Sequence, residues 1–145
     1  MPQGSSATVS PLQSLLHLLH RAGQRADAVF AQHAGSGLTP RQYMVLQAIS
    51  TTDGLSQTDI MAATGIDRSS IAELTKRLVA YGWVRRRRTR KDARAYAVRL
   101  TPEGRRVLEV GIPAARAVEE VLLASLSKAQ RQVLLNALTT LTHED

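Results

Sequence analysis

Between Ser56 and Leu78 the chain reads SQTDIMAATGIDRSSIAELTKRL. Ser56-Gln57-Thr58-Asp59 has the form of a capping box, in which the serine oxygen and the acid three residues on satisfy each other's backbone N–H groups. It opens a short helix over about residues 57–64, ended by Gly65. A second helix is expected over about residues 67–81, with Ile71, Leu74, Leu78 and Val79 as its apolar face and Gly82 as its C-terminal cap. Ile60, Gly65, Ile66, Ile71 and Leu74 fall where two crossing helices need apolar side chains and a left-handed turn. The pair reads as a helix-turn-helix. Met61 departs from the motif, which takes a small residue where the helices approach, and its flexible side chain has to fit the gap.

Downstream the period changes. Residues 83–87 and 95–99 read as two short strands, with Tyr96 and Val98 alternating against smaller or charged neighbours. The polar, charged stretch from Arg88 to Arg94 is the turn between them. Upstream, Ser10-Pro11-Leu12-Gln13 predicts a helix start and a helix over about residues 11–34, stopping at Gly35-Ser36-Gly37. Thr39-Pro40-Arg41-Gln42 repeats the device for a helix over about residues 40–50, with Tyr43, Val45, Leu46 and Ile49 buried. Thr101-Pro102-Glu103 opens a long helix, in which Pro113 removes one backbone bond and predicts a kink. Ser127-Lys128-Ala129-Gln130 opens the last, over about residues 128–142. The fold class is mainly α with a small β-hairpin wing, a winged helix-turn-helix.

The chain has 145 residues and a net charge of +7, and the charge is concentrated. Between Arg68 and Arg99 eleven Lys and Arg stand against two acids, Glu73 and Asp92, so the remainder is slightly acidic. One basic region on such a chain is the footprint of a polyanion-binding surface. Hydrophobic residues make up 43% and aromatic ones 3%, so aliphatic side chains fill the core. No apolar run approaches the roughly twenty residues of a membrane span. The opening MPQGSSATVSP lacks the pattern of a secretion signal. A cytoplasmic protein with no membrane partner is expected. The absence of cysteine removes disulfides, thiolate metal sites and thiol redox sensing. No nucleophile motif, phosphate loop, metal-spaced cluster or paired-acid constellation is present, so the expectation is a non-enzyme without cofactor or metal.

The run from Leu38 to Leu108 resembles the MarR family (multiple-antibiotic-resistance regulators). The likeness rests on Leu38-Thr39-Pro40-Arg41-Gln42, on Gly65-Ile66-Asp67-Arg68-Ser69-Ser70, and on Leu78-Val79-Ala80-Tyr81-Gly82-Trp83-Val84. It continues through Asp92-Ala93-Arg94 and closes with Leu100-Thr101-Pro102-Glu103-Gly104. The resemblance implies a dimeric regulator, an ion pair between Asp92 and Arg94 that shapes the wing, dimerisation through the terminal helices, and a small, often aromatic, effector. It also implies that a chain without cysteine lies outside the family's peroxide-sensing branch.

Residue chemistry supplies the candidates. The helix from 67 offers Arg68, Ser69, Ser70, Glu73, Lys76 and Arg77 on its polar face. N-terminal residues of such a helix meet base edges in the major groove, and those further along meet phosphates. Ser56 and Gln57 begin a helix whose N–H groups can hold phosphate. Arg88, Arg90, Lys91 and Arg94 are placed to follow the DNA backbone or a narrow minor groove. Two apolar stripes, Leu12, Leu15, Leu16 and Leu19 with Leu122, Leu126, Val133, Leu134, Leu138 and Leu141, exceed what a small lobe can cover, which predicts a homodimer. The expected division is an N-terminal arm over residues 1–9, taken as flexible, and one protomer over 10–145. Within it, 10–37 and 112–145 are dimerisation helices and 38–111 the DNA-binding lobe. His17, His20, Arg21, Gln24, His33 and Tyr43 are polar candidates for an aromatic or anionic effector. His17 and His20 lack a third ligand for a metal. The main expectation is a sequence-specific, ligand-responsive repressor on a pseudo-palindromic duplex. The alternative is a non-specific architectural DNA- or RNA-binding protein that uses the arginine-rich hairpin as a grip.

Overall fold

The computed structural model describes residues 10–35, 37–89 and 96–143. Its helices are α1 (Leu15–Ala34), α2 (Pro40–Thr51), α3 (Gln57–Thr64), α4 (Arg68–Ala80), α5 (Pro102–Leu122) and α6 (Lys128–Thr142). Strands β1 (Val84–Arg88) and β2 (Tyr96–Leu100) form an antiparallel hairpin between α4 and α5. The winged helix-turn-helix architecture is therefore present, built mainly from helices.

The predicted capping boxes of α2, α3 and α6 are all made, with Thr39, Ser56 and Ser127 each exchanging bonds with the residue three ahead. Ser10 behaves differently. Its side chain caps nothing; the chain first makes a 3-10 turn over Pro11–Gln13, closed by the Gln13 N–H on the Ser10 carbonyl at 2.7 Å. Ser14, in extended conformation four residues later, caps α1 instead by accepting from the His17 N–H at 3.3 Å. β1 starts one residue later than expected because Trp83 is taken up by the C-terminal cap of α4, and β2 runs one residue further than expected, to Leu100. Gly82 N donates to Val79 O and Trp83 N to Leu78 O, both at 3.0 Å, the paired bonds of a Schellman cap. α5 continues as one element through Pro113.

The core sits between α2, α3, α4, the hairpin and α5. Val45, Leu46, Ile60, Ile71, Leu78, Val84 and Val98 are sealed within it. On α4 the inward face is Ile71, Thr75 and Leu78, spaced four and three apart as helical periodicity requires. Val79, expected inside, lies about 100° further round the helix and is exposed. Leu74 packs half-buried at the edge. Thr101 ties the hairpin to the end of α4: its N–H donates to Trp83 O and its hydroxyl to Gly82 O. The same hydroxyl oxygen accepts from the Gly104 N–H. Gly104 is required here, since a Cβ would stand 1.9 Å from the Trp83 carbonyl oxygen.

The terminal helices bury far less. α6 buries no residue fully, and α1 only Val29 and Phe30 near its end. Leu12, Leu15, Leu16, Leu19, Val133 and Leu141 are exposed, while Leu122, Leu126, Leu134 and Leu138 are half-buried. The arm expected over residues 1–9 lies outside the described residues. Among the described residues, no helix is long and apolar enough to cross a membrane, and no group of three or more His, Cys, Asp or Glu could hold a metal ion.

Candidate nucleic-acid interface

The turn between α3 and α4 is built by Gly65: its N–H donates to the Met61 carbonyl at 2.8 Å, and its φ of +69° turns the chain out of α3. Thr64 and Ile66 close the turn, the Ile66 N–H donating to the Thr64 hydroxyl at 3.3 Å. Ile66 packs against the core, so α4 is held by its start as well as by its inward face.

Asp67 organises that start. Its Oδ1 accepts the Ser70 N–H and the Ser69 hydroxyl, both at 2.9 Å, and its Oδ2 accepts the Ser70 hydroxyl at 2.7 Å. The Ser70 backbone N–H, then the Ser70 and Ser69 hydroxyls, hold the carboxyl at about 2, well below the usual carboxylate range. Both serines therefore spend their protons inward and turn lone pairs outward. α3 repeats the design: Asp59 Oδ2 accepts from the Ser56 hydroxyl at 2.7 Å and its N–H at 3.0 Å, which lowers the Asp59 carboxyl as well. The hydroxyl proton of Ser56 is thereby committed to Asp59.

The DNA-facing candidates separate into two groups. Ser56, Gln57 and Arg68 come together in a notch of about 440 Å³, joined there by Thr58, Arg86, Tyr96 and Val98. Arg86 and Tyr96 were not singled out from the sequence, although strand alternation carries the signal. Arg86 pairs with Val98 and shares the face of buried Val84, so it points to the helix-turn-helix rather than away. Arg88 pairs with Tyr96 on the same face. Ser70, Glu73 and Arg77 instead border a cleft of about 600 Å³ with Asp27 of α1 and Arg41, Gln42 and Met44 of α2. Glu73 and Arg77 are 4.0 Å apart and mostly exposed, a pair that contributes little. Ser69 and Lys76 are exposed on α4. Arg90, Lys91, Asp92 and Arg94, with the ion pair expected between the last two, lie outside the described residues.

The effector candidates do not form one cluster within the protomer. His20 and Gln24 border an open groove on α1 with Leu16, Leu19 and Asp27. Arg21 is exposed and His17 half-buried. His33 Nδ1 stands 2.9 Å from the Val29 carbonyl at the end of α1. Tyr43 is buried, its ring centroid 5.4 Å from that of Phe30, and burial pushes its hydroxyl above the usual tyrosine value.

A sequence model of the MarR family matches residues 36–95. The chain is 33% identical to the HTH-type transcriptional repressor NicR of Pseudomonas putida, over 89% of this chain and 82% of that protein. Among solved structures, that of Bordetella bronchiseptica BpsR, whose DNA binding is regulated by 6-hydroxynicotinic acid, aligns with a TM-score of 0.80 at 31% identity. That alignment covers 88% of this chain and 97% of BpsR. The transcriptional repressor CouR, solved on a 23-mer DNA duplex, aligns with a TM-score of 0.80 at 30% identity, over 90% of this chain and 93% of CouR.

Proposed function

The chain belongs to the MarR family, and we propose that it is a ligand-responsive transcriptional repressor that binds a pseudo-palindromic duplex as a homodimer. The observation that carries this reading is the notch where the ends of α3 and α4 meet the wing. There Gln57, Arg68 and Arg86 converge from three elements on one polar surface. α4 enters the major groove, with Arg68, Ser69 and Ser70 nearest the bases, and the exposed Lys76 on the backbone. Because the hydroxyl protons of Ser69 and Ser70 are held by Asp67, these serines act towards DNA as acceptors. The remaining wing residues, Arg88, Arg90, Lys91 and Arg94, follow the adjacent backbone or minor groove, with Asp92 shaping the turn.

Residues 38–111 form the DNA-binding lobe in this reading, and 10–37 with 112–145 the dimerisation region. The exposed leucines of α1 and the apolar face of α6 support pairing, because each stripe lacks cover within the protomer. The effector is a small aromatic or anionic molecule bound between that region and the lobe, with His17, His20, Arg21, Gln24, His33 and Tyr43 as its candidate contacts. BpsR responds to an aromatic acid of this class. The protein works in the cytoplasm, performs no catalysis and needs no cofactor.

Fluorescence anisotropy against DNA from upstream of the protein's own gene, with a scrambled duplex as control, tests this reading. Much tighter binding to the upstream duplex is expected at each salt concentration. Equal affinity for both, with a steep salt slope, would leave only an electrostatic grip.

A further inference from the structure

We propose that Asp53, in the connection between α2 and α3, is a positioning residue for the wing, holding Arg99 so that β1 and β2 stand at the angle DNA binding requires. The inference rests on the DNA-binding reading above and adds a residue that lies outside the interface. Arg85 and Arg99 are direct partners across the hairpin, on the face away from buried Val84 and Val98. Side chains so placed have Cβ atoms about 5 Å apart, and like charges there push the strands apart. A two-stranded hairpin has little stability of its own to resist this.

Asp53 answers that repulsion. Its Oδ1 lies 3.1 Å from Arg99 Nε. That nitrogen has no water-accessible surface, and the contact is off line for a hydrogen bond, so the link is coulombic. Arg85 and Arg105 border the same cleft of about 480 Å³, where Asp53 and Glu109 are the acids. The two residues after Asp53 run along β2. The Leu55 carbonyl accepts the Val98 N–H at 2.8 Å, and a Cβ on Gly54 would meet Ala97 Cβ at 3.4 Å. Asp53-Gly54-Leu55 is thus a strap, bonded at one end by backbone and at the other by charge. Through it α2 fixes the hairpin whose opposite face carries Arg86 and Arg88. The Asp53 side chain is mostly exposed, so the pair adds little to fold stability. Its effect falls on wing orientation.

Asp53→Asn keeps the shape and removes the charge. On the upstream duplex it is expected to weaken binding about fivefold and to make the salt slope shallower by about one, as phosphate contacts from the wing are lost. Its melting temperature stays within about 2 °C of the parent. Adding Arg85→Gln removes the repulsion and restores most of the affinity. Should Asp53→Asn disturb folding, the exchange Asp53→Arg with Arg99→Asp is read against Asp53→Arg alone and recovers binding. The inference is overturned if Asp53→Asn binds like the parent, or if neither second change improves on its single variant. Equal gripping of upstream and scrambled DNA by the parent protein would overturn the regulator reading instead; the Asp53 comparison would still be read on either duplex.

Discussion

Ile60, Ile71 and Leu78 of the DNA-binding lobe are sealed at 0% exposure, whereas Leu12, Leu15 and Leu16 before and within α1 remain 64–69% exposed. Both regions carry apolar residues at helical spacing, and only one finds its partners within the chain. The lobe closes on itself because α2, α3, α4, the hairpin and α5 share one core, to which each contributes buried side chains. α1 lies along α5, and α6 buries nothing fully, so their remaining stripes face outward. Helical periodicity therefore reports that a face wants cover, and packing alone decides whether the cover is the same chain. In the function proposed above, the boundary between the two regions also separates reading DNA from pairing with a second copy.

Truncating one leucine in each region sharpens the comparison. Leu78→Ala opens a cavity between α4 and the hairpin and is expected to cost about 3 kcal/mol, typical of a sealed leucine. Thermal unfolding should show a loss of roughly 10 °C that does not depend on protein concentration. Leu16→Ala removes an exposed side chain, and a comparable concentration-independent loss there would contradict the division. A stronger change at the ends, Leu16→Glu with Leu141→Glu, places charge on both unpartnered stripes. Sedimentation is expected to show monomers, and affinity for a two-half-site duplex to fall more than tenfold as the coupled second contact disappears. Retention of the dimer would show that its interface lies elsewhere.

Asp67 gives a smaller effect that tests the lobe from its exposed side. Its carboxyl sits at about 2 when folded against the ordinary 3.8, because Ser70 and Ser69 donate to the charged form. A depressed acid stabilises the fold fully above its unfolded value, and that contribution is lost as pH falls through the folded value. The start of α4 should therefore loosen between about pH 4 and pH 2. Asp67→Asn removes the charge, so the melting difference between parent and variant, a few degrees at neutral pH, should shrink across that window. A difference that stays constant with pH would mean that the charge of Asp67 does not support the cap.

Much of this was legible along the chain. Caps are local, and Thr39, Ser56, Thr101 and Ser127 each accept from the residue three ahead, as spacing alone implies, while Asp67, read from the sequence as the first residue of its helix, caps it in the same way. The two strands and most of the buried face followed from periods of two and 3.6 residues, and the turn glycine from its place at the end of α3. Where two equivalent caps compete, as Ser10 and Ser14 do, local chemistry cannot choose between them. Strand alternation holds the signal that Arg86 faces the helices, but it needs the register to anchor it. Asp53 and Arg99 are far apart in sequence, in a loop and a strand, and no periodicity links them. The six effector candidates share only polarity and a region of chain, and the fold scatters them between an exposed groove, a helix end and the core.

Thr75 stands between Ile71 and Leu78 on the sealed face of α4 at 1% exposure, and its hydroxyl has no hydrogen-bond partner. A buried hydroxyl that donates to nothing has lost its water without compensation. Thr75→Val keeps the β-branched shape and replaces that hydroxyl with a methyl group. Such exchanges destabilise where the hydroxyl was bonded; here the gain should be about 0.5–1 kcal/mol. Thermal unfolding should rise by roughly 2–4 °C, with affinity for the upstream duplex unchanged, since Thr75 is sealed in the core about two helical turns along α4 from Arg68 and presents no surface to DNA. A loss of stability would mean that the hydroxyl is satisfied in solution, by water or by a helix carbonyl. A change in affinity with stability raised would show that the core beneath α4 sets how the helix sits in the groove.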